Sequence, residues 1–340
     1  MALLFMDGFD AYEDKSSWEH DERWGVSSVN FTPTTGRING KAVYSTGAYE
    51  ASALLSADSS ATIFVGFAMK ILTSPTASRD VLDLYDTDGN LEGRLVINAD
   101  RTFSYEVGGI TVVATSSAGI STGEWHAIGL EVYMHASAGT VKMWIDGVQV
   151  ANGSALDTLD GTAASIRQFL IRTTSGHTTY WDDLFIGDDS GSDLTAYPGD
   201  CHIEMLTPNA NGTTNNFTAS PAVSNYLNVD DGNPKDDDTT YNYSATATDK
   251  ELYGFSAITG SLDAVYAVQV QAAVRKEGAG SRTVNLIARS SATESDSAQK
   301  GMAVDDYLWV THHYENDPNG GGNWTQSAVN AAEFGLEIGA

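Results

Sequence analysis

The chain has a single cysteine, Cys201, in 340 residues. No disulfide can form within it, which excludes a disulfide-stapled scaffold and leaves Cys201 expected as a small buried residue. Positive charge is also sparse, with 18 Lys and Arg against 45 Asp and Glu, a formal net charge of -27. A field of that sign repels phosphate backbones and anionic lipid, so neither nucleic acid nor a membrane surface is an expected partner. No apolar run approaches the roughly 18 residues that span a bilayer, and membrane insertion is not expected. The opening MALLFMDGFD lacks a basic segment and Asp7 interrupts its apolar stretch, so no signal peptide is expected and the protein reads as folding in the cytoplasm where it is made. Heptads, internal repeats, a Gly-x-Ser-x-Gly elbow and a Gly-rich phosphate loop with Lys are also missing.

What is present is alternation. Ile63, Val65, Phe67, Met69 and Ile71 fall on one face of a strand, as do Phe103, Tyr105 and Val107. Ile128, Leu130, Val132 and Met134 repeat the pattern, followed by Val141, Met143 and Ile145 running into Asp146-Gly147, a hairpin turn signal. Short alternating runs bounded by Gly, Asp, Asn and Ser specify an all-β sandwich. The pattern lapses over 188–199, which reads as a linker and separates a domain over 1–190 from a smaller β-rich domain over 199–340. In the second block Tyr266, Val268, Val270, Ala272 and Val274 alternate, Val284, Leu286 and Ala288 suggest a neighbour, and 307–314 a further strand. Stretches 207–224 and 230–240 read as surface loops, Thr325 or Ser327 as the cap of a short helix reaching Ala332, and 334–338 as an extended tail.

Five motifs in order carry a resemblance: DGFDAY (7–12), GRINGKAV (36–43), GEWHAIGLEV (123–132), TVKMWIDGVQV (140–150) and YWDDLFIGDD (180–189). Together they resemble a laminin-G-like or concanavalin-A-like jelly roll, which implies pairing of the first and last strands and a binding role. Downstream, DLTAYPGDCHIEMLTPNANG (193–212) and WTQSAVNAAEFGLEIGA (324–340) resemble structural proteins of tailed-phage and prophage virions. That resemblance implies a non-enzymatic tail, fibre or capsid-surface component, working as a homo-oligomer in contact with other virion proteins or a host-surface glycan. A bacterial polysaccharide-binding or polysaccharide-degrading module is the alternative, and a purely architectural decoration protein a third.

Candidate chemistry is sparse. Some concanavalin-A-like hydrolases carry Glu-x-Asp-x-x-Glu, but here Glu124 and Glu131 are too far apart to imitate it, and Asp182 and Asp183 are adjacent, so alternation sends them to opposite faces. No catalytic residue is expected. If the first and last strands pair, Asp7, Asp10, Asp182 and Asp183 form a candidate calcium group, since hard cations want several oxygen ligands. The run 86–90 resembles the start of an EF-hand but reads as a turn, and His312-His313 lacks partners for zinc. Trp18, Trp24, Trp144 and Trp181 are the candidates for stacking on sugar rings. The alternating Phe334, Leu336 and Ile338 suit a strand that pairs with a neighbouring subunit's edge or completes its own sheet.

Overall fold

The computed structural model describes residues 2–13, 18–27, 32–38, 40–47, 49–173, 178–191, 196–232 and 235–339. The protein is all-β and divides into two compact units, Met1–Glu19 with Arg23–Glu204, and His20–Glu22 with Met205–Ala340. Each has its own apolar core.

The first unit opens with β1 (Ala2–Asp7), β2 (Trp24–Ser27), β3 (Thr32–Thr35), β4 (Lys41–Ser45) and β5 (Tyr49–Leu54). Then come β6 (Thr62–Ile71), β7 (Arg79–Asp86), β8 (Leu91–Ile97), β9 (Thr102–Val107) and β10 (Thr111–Gly119). β11 (His126–Tyr133), β12 (Gly139–Ile145), β13 (Val148–Leu156), β14 (Ile166–Thr173) and β15 (Thr179–Asp188) complete it. One sheet runs β13-β12-β11-β6-β15-β4-β3 with β1 also on β15, and the other β10-β9-β8-β7-β14-β5-β2. Strands distant in sequence lie side by side, β6 with β15 and β5 with β14, as a jelly-roll sandwich requires.

The alternation read from the sequence builds the core directly: Ile63, Val65, Phe67, Met69 and Ile71 from β6 and Ile128, Leu130 and Val132 from β11 all turn inward. Each such side chain stabilises the fold by about 1.5–3 kcal/mol when fully buried. The β12–β13 hairpin turns at Asp146 and Gly147, both with positive φ (50° and 76°), the conformation for which Asp-Gly is suited.

β15 holds the arrangement together. Along one edge it pairs β6; along the other it pairs β4 through Thr179–Trp181 residues and β1 from Leu184 onward. The register slips between Asp182 and Phe185, and Asp183 has φ 53°. A bulge here breaks the period of two. The two adjacent aspartates, expected on opposite faces, therefore both bury their carboxylates in the same neighbourhood.

The expected boundary shifts. Residues 199–204, assigned from sequence to the second domain, belong to the first unit, because Asp200, His202 and Ile203 bond to Arg37 and Asp183. Cys201 is half-buried and free, with its thiol pushed up to about 12 chiefly by burial.

In the second unit the strands are β16 (Pro208–Asn215), β17 (Thr218–Ser220), β18 (Tyr241–Tyr243), β19 (Lys250–Phe255) and β20 (Val268–Val274). β21 (Thr283–Ser290), β22 (Thr293–Asp296), β23 (Lys300–Gly301), β24 (Leu308–Tyr314), helix α1 (Gln326–Ala331) and β25 (Glu333–Ile338) follow. The main sheet is β16-β19-β25-β21-β22, with β23 also on β21; β17-β18 and β20-β24 form two smaller ones. The stretch 207–224, expected as a loop, contains β16 and β17: β16 is an edge strand, mostly exposed, so its Asn and Thr side chains meet water while its backbone pairs with β19. Thr325 caps α1 by accepting from the Ala328 amide at 3.1 Å. β25 pairs with β19 on one side and β21 on the other, so the alternating tail completes its own sheet and has no free edge for a neighbouring subunit.

Candidate functional site

The four aspartates of the calcium expectation do converge where β1, β4 and the β15 bulge meet, yet each is occupied by protein donors. Asp7 accepts from the Phe9 amide (2.7 Å), the Tyr12 hydroxyl (2.6 Å), Trp24 Nε1 (2.9 Å) and Arg23 (2.9 Å). Asp10 takes the Lys41 amide at 2.6 Å. Asp182 takes the amides of Arg37 and Asp183, at 2.7 and 2.8 Å. Asp183 takes the Ile203 amide (2.8 Å), His202 Nδ1 (2.9 Å) and Arg37 (3.4 Å). Among the described residues no group of three or more His, Cys, Asp or Glu is arranged to hold a metal ion. The carboxylates serve instead as acceptors for amides and cations that the strand crossings leave unpaired.

Their electrostatics follow from that crowding. Burial pushes Asp10 up to about 7, against the Lys41 amide, with the charges of Asp7 and Asp183 adding to the rise. Burial and the neighbouring Asp183 raise Asp182 in the same direction. The hydrogen bond to Asp183 raises His202. The 86–90 run is a turn: Asp86 accepts the amides of Asp88 (2.9 Å) and Asn90 (2.8 Å).

Three of the four candidate tryptophans are in the core. Trp18, Trp24 and Trp181 are 1%, 5% and 0% exposed; Trp18 and Trp24 pack edge to face at 5.0 Å, and Trp181 lies on Phe67 at 4.7 Å. None can meet a ligand. Trp144 is half-buried on the outer side of its sheet, stacked on Tyr197 at 4.8 Å, and Tyr197 in turn stacks on Phe185 at 6.1 Å. Beneath these rings lie Gly129, paired with Trp144, and Gly66, paired with Gly129 and Phe185. A Cβ at Gly129 would collide with the Tyr197 ring and one at Gly66 with Phe185. Residues 196–204 thus form a strap over this part of the sheet, tied by Arg37 to Asp200 (2.6 Å) and by the Tyr197 amide to Glu131 (3.3 Å).

Beyond the strap the same outer face carries a row of residues that were not among the sequence candidates. Tyr180 of β15 pairs with Tyr44 of β4 on one side and Lys70 of β6 on the other. Trp125 directly precedes His126, whose partner is Met69. The side chains meet across four strands' width: Tyr44 stacks on Tyr180 at 5.2 Å, the Lys70 ammonium lies 4.3 Å from the Tyr180 ring centre and 4.8 Å from that of Trp125, and Trp125 is turned 74° to Tyr180. All four are half-buried. Period-two reading would have found Tyr180, since Trp181 and Val43 point inward and their neighbours Tyr180 and Tyr44 must point out.

The outer face of the other sheet is ionic. Asp83, fully buried, accepts from Arg94 Nε and Arg172 Nε, both at 2.5 Å; Arg94 continues to Asp80 (3.1 Å) and Arg172 to Glu50 (3.0 Å). Charges alternate along this ladder, and each is paired within it.

No protein-family model matches the chain, and no curated protein matches it in sequence. Among solved structures it resembles the cellulose-induced protein Cip1, at 11% identity and a TM-score of 0.41, over 57% of this chain and 100% of that one. It also resembles domain 4 of AbnA, an extracellular arabinanase from Geobacillus stearothermophilus solved with arabinotriose, at 19% identity and a TM-score of 0.40, over 54% and 91% of the two chains. A Bacillus subtilis protein with a galectin-like fold follows at 10% identity and a TM-score of 0.38, over 55% and 96%. With TM-scores below 0.5, these likenesses assign no ligand or activity.

Proposed function

We propose that the first unit is a glycan-binding sandwich that holds polysaccharide without cleaving it. The observation that carries this reading is the half-exposed row of Tyr44, Tyr180, Lys70 and Trp125 on the outer face of the larger sheet. Large aromatic side chains normally bury their rings, and a contiguous set on the solvent side of a sheet combines apolar edges with polar tips, the mixture that suits a sugar's C–H patches and hydroxyls. The tyrosines use ring faces on each other and on Lys70, which also covers part of the Trp125 indole, leaving the ring rims and the rest of the indole to a ligand.

A non-catalytic role is supported by how the acids are used. Glu131 bonds to Lys142 at 2.6 Å and to the Tyr197 amide, while Glu124 stands exposed in a turn, so the two cannot flank a glycosidic bond as an acid and nucleophile must. Attachment of a virion through this unit, with copies held together so that weak contacts become avid, is the setting implied by the sequence motifs alone, and glycan binding does not depend on it. Affinity electrophoresis through gels containing neutral and acidic polysaccharides tests the reading. Retardation by at least one gel is expected, lost in Trp125→Ala and Tyr180→Ala and kept in Trp144→Ala; free migration in every gel refutes it.

A further inference from the structure

We infer that the row selects an acidic glycan, one carrying a uronate carboxylate, with Lys70 as the group that reads the charge. This inference rests on the glycan-binding reading above and names its ligand class. Acids outnumber bases 45 to 18 in this chain, and partly buried cations of the first unit find carboxylates: Lys142 of β12 has Glu131, Arg37 just after β3 has Asp200 and Asp183, and Arg172 in the opposite sheet has Asp83 and Glu50. Lys70 is different. Among the described residues its ammonium lies against two ring faces, Tyr180 and Trp125, and no carboxylate. Cation–π attraction holds the ammonium in place but satisfies none of its three N–H donors with an oxygen acceptor.

A lysine in open solvent would let its long stem carry the charge away from the sheet. Here the charge is held at the middle of the row, between the tyrosines and the indole. A pyranose lying along those rims can present its exocyclic C6 group to the ammonium. A C6 carboxylate both accepts a hydrogen bond from the ammonium and pairs its charge with it; a C6 hydroxymethyl accepts the hydrogen bond without the ion pair. Discrimination of about tenfold is the expected scale for one such contact. Among the described residues no glutamate or aspartate fills the position, and the complementary charge is assigned to the ligand.

The test uses the full chain and four oligosaccharides, of galacturonate, glucuronate, mannuronate and guluronate, each beside its carboxyl-reduced neutral form, titrated by calorimetry against wild type, Lys70→Met and Tyr180→Ala. Expected is at least one acid form bound about tenfold tighter than its reduced partner, that difference erased in Lys70→Met while the neutral form still binds, and both lost in Tyr180→Ala. Equal binding of acid and reduced forms, or a preference unchanged in Lys70→Met, overturns the charge reading and leaves glycan binding standing. Binding of no member of either set overturns both. Circular dichroism of each variant separates loss of the site from loss of the fold.

Discussion

Asp10 and Trp181 illustrate how differently two candidate residues are employed once packed. Asp10 is 8% exposed and its carboxyl is pushed up to about 7 by burial, with Asp7 and Asp183 nearby. A group whose native pKa lies above its unfolded one keeps its proton in the folded state while the unfolded state has lost it, so stability is full below pH about 4 and declines as pH rises through about 7. Asp182 and His202, both raised, act in the same direction. The first unit should therefore resist urea better at pH about 5 than at about 8. Asp10→Asn, which keeps the acceptor for the Lys41 amide and removes the charge, should narrow that gap by on the order of 1 kcal/mol. A pH profile identical to wild type would show that the Asp10 carboxyl is not held protonated by burial. Trp181, wholly enclosed, should cost about 3–5 kcal/mol as Trp181→Ala. Tyr180→Ala, one residue away on the other face, should cost far less and be read in binding rather than in melting temperature.

At the level of elements the deciding features are the β15 bulge and the strap. Asp183 at the bulge accepts from His202 and the Ile203 amide, and Tyr197 fills the space above Gly129, so residues 196–204 act as part of the sandwich. A fragment ending at 204 should unfold cooperatively and at higher urea than one ending at 191; equal midpoints would mean the strap contributes nothing. The inner faces of β6, β9, β11, β12 and β21 were legible in the sequence, because a period of two needs only local alternation. The strap was not, since Tyr197 and Asp200 lie in a polar stretch whose partners, Trp144, Glu131 and Arg37, are 53 to 163 residues away in sequence. β25 shows the same limit from the other side: its Phe334, Leu336 and Ile338 announce a strand, but only the pairing with β19 and β21 makes it a central one. Truncation after Asn323 removes Trp324, Val329 and Phe334 from the second core and should unfold that unit. A truncated chain whose second unit kept its near-ultraviolet dichroism would contradict this.

For the whole molecule the net charge of -27 sets the conditions of any encounter. An acidic glycan is repelled at long range and attracted at Lys70 only on contact. Raising ionic strength from a few millimolar to about 0.15 M shortens the screening length to about 8 Å, which damps the repulsion and leaves the contact largely intact. Affinity for a uronate oligomer should thus hold or rise with salt over that range; a steep fall would mark binding to a diffuse basic surface instead. Chelation with EDTA should leave the thermal transition of the first unit unchanged, because its aspartates are engaged by amides, Arg, Trp and Tyr rather than grouped around an ion.

By itself the sequence determined the all-β class, the inward face of strands such as β6, β11 and β12, the Asp146-Gly147 hairpin and the capped helix near the end, all of which follow from the conformational preferences and spacing of residues close together in the chain. Tertiary structure alone decided which tryptophans were spare and what the aspartates hold. It also brought Tyr44, Tyr180, Lys70 and Trp125 into one row, because sheet register joins residues up to 136 positions apart and no local pattern encodes a register between distant strands.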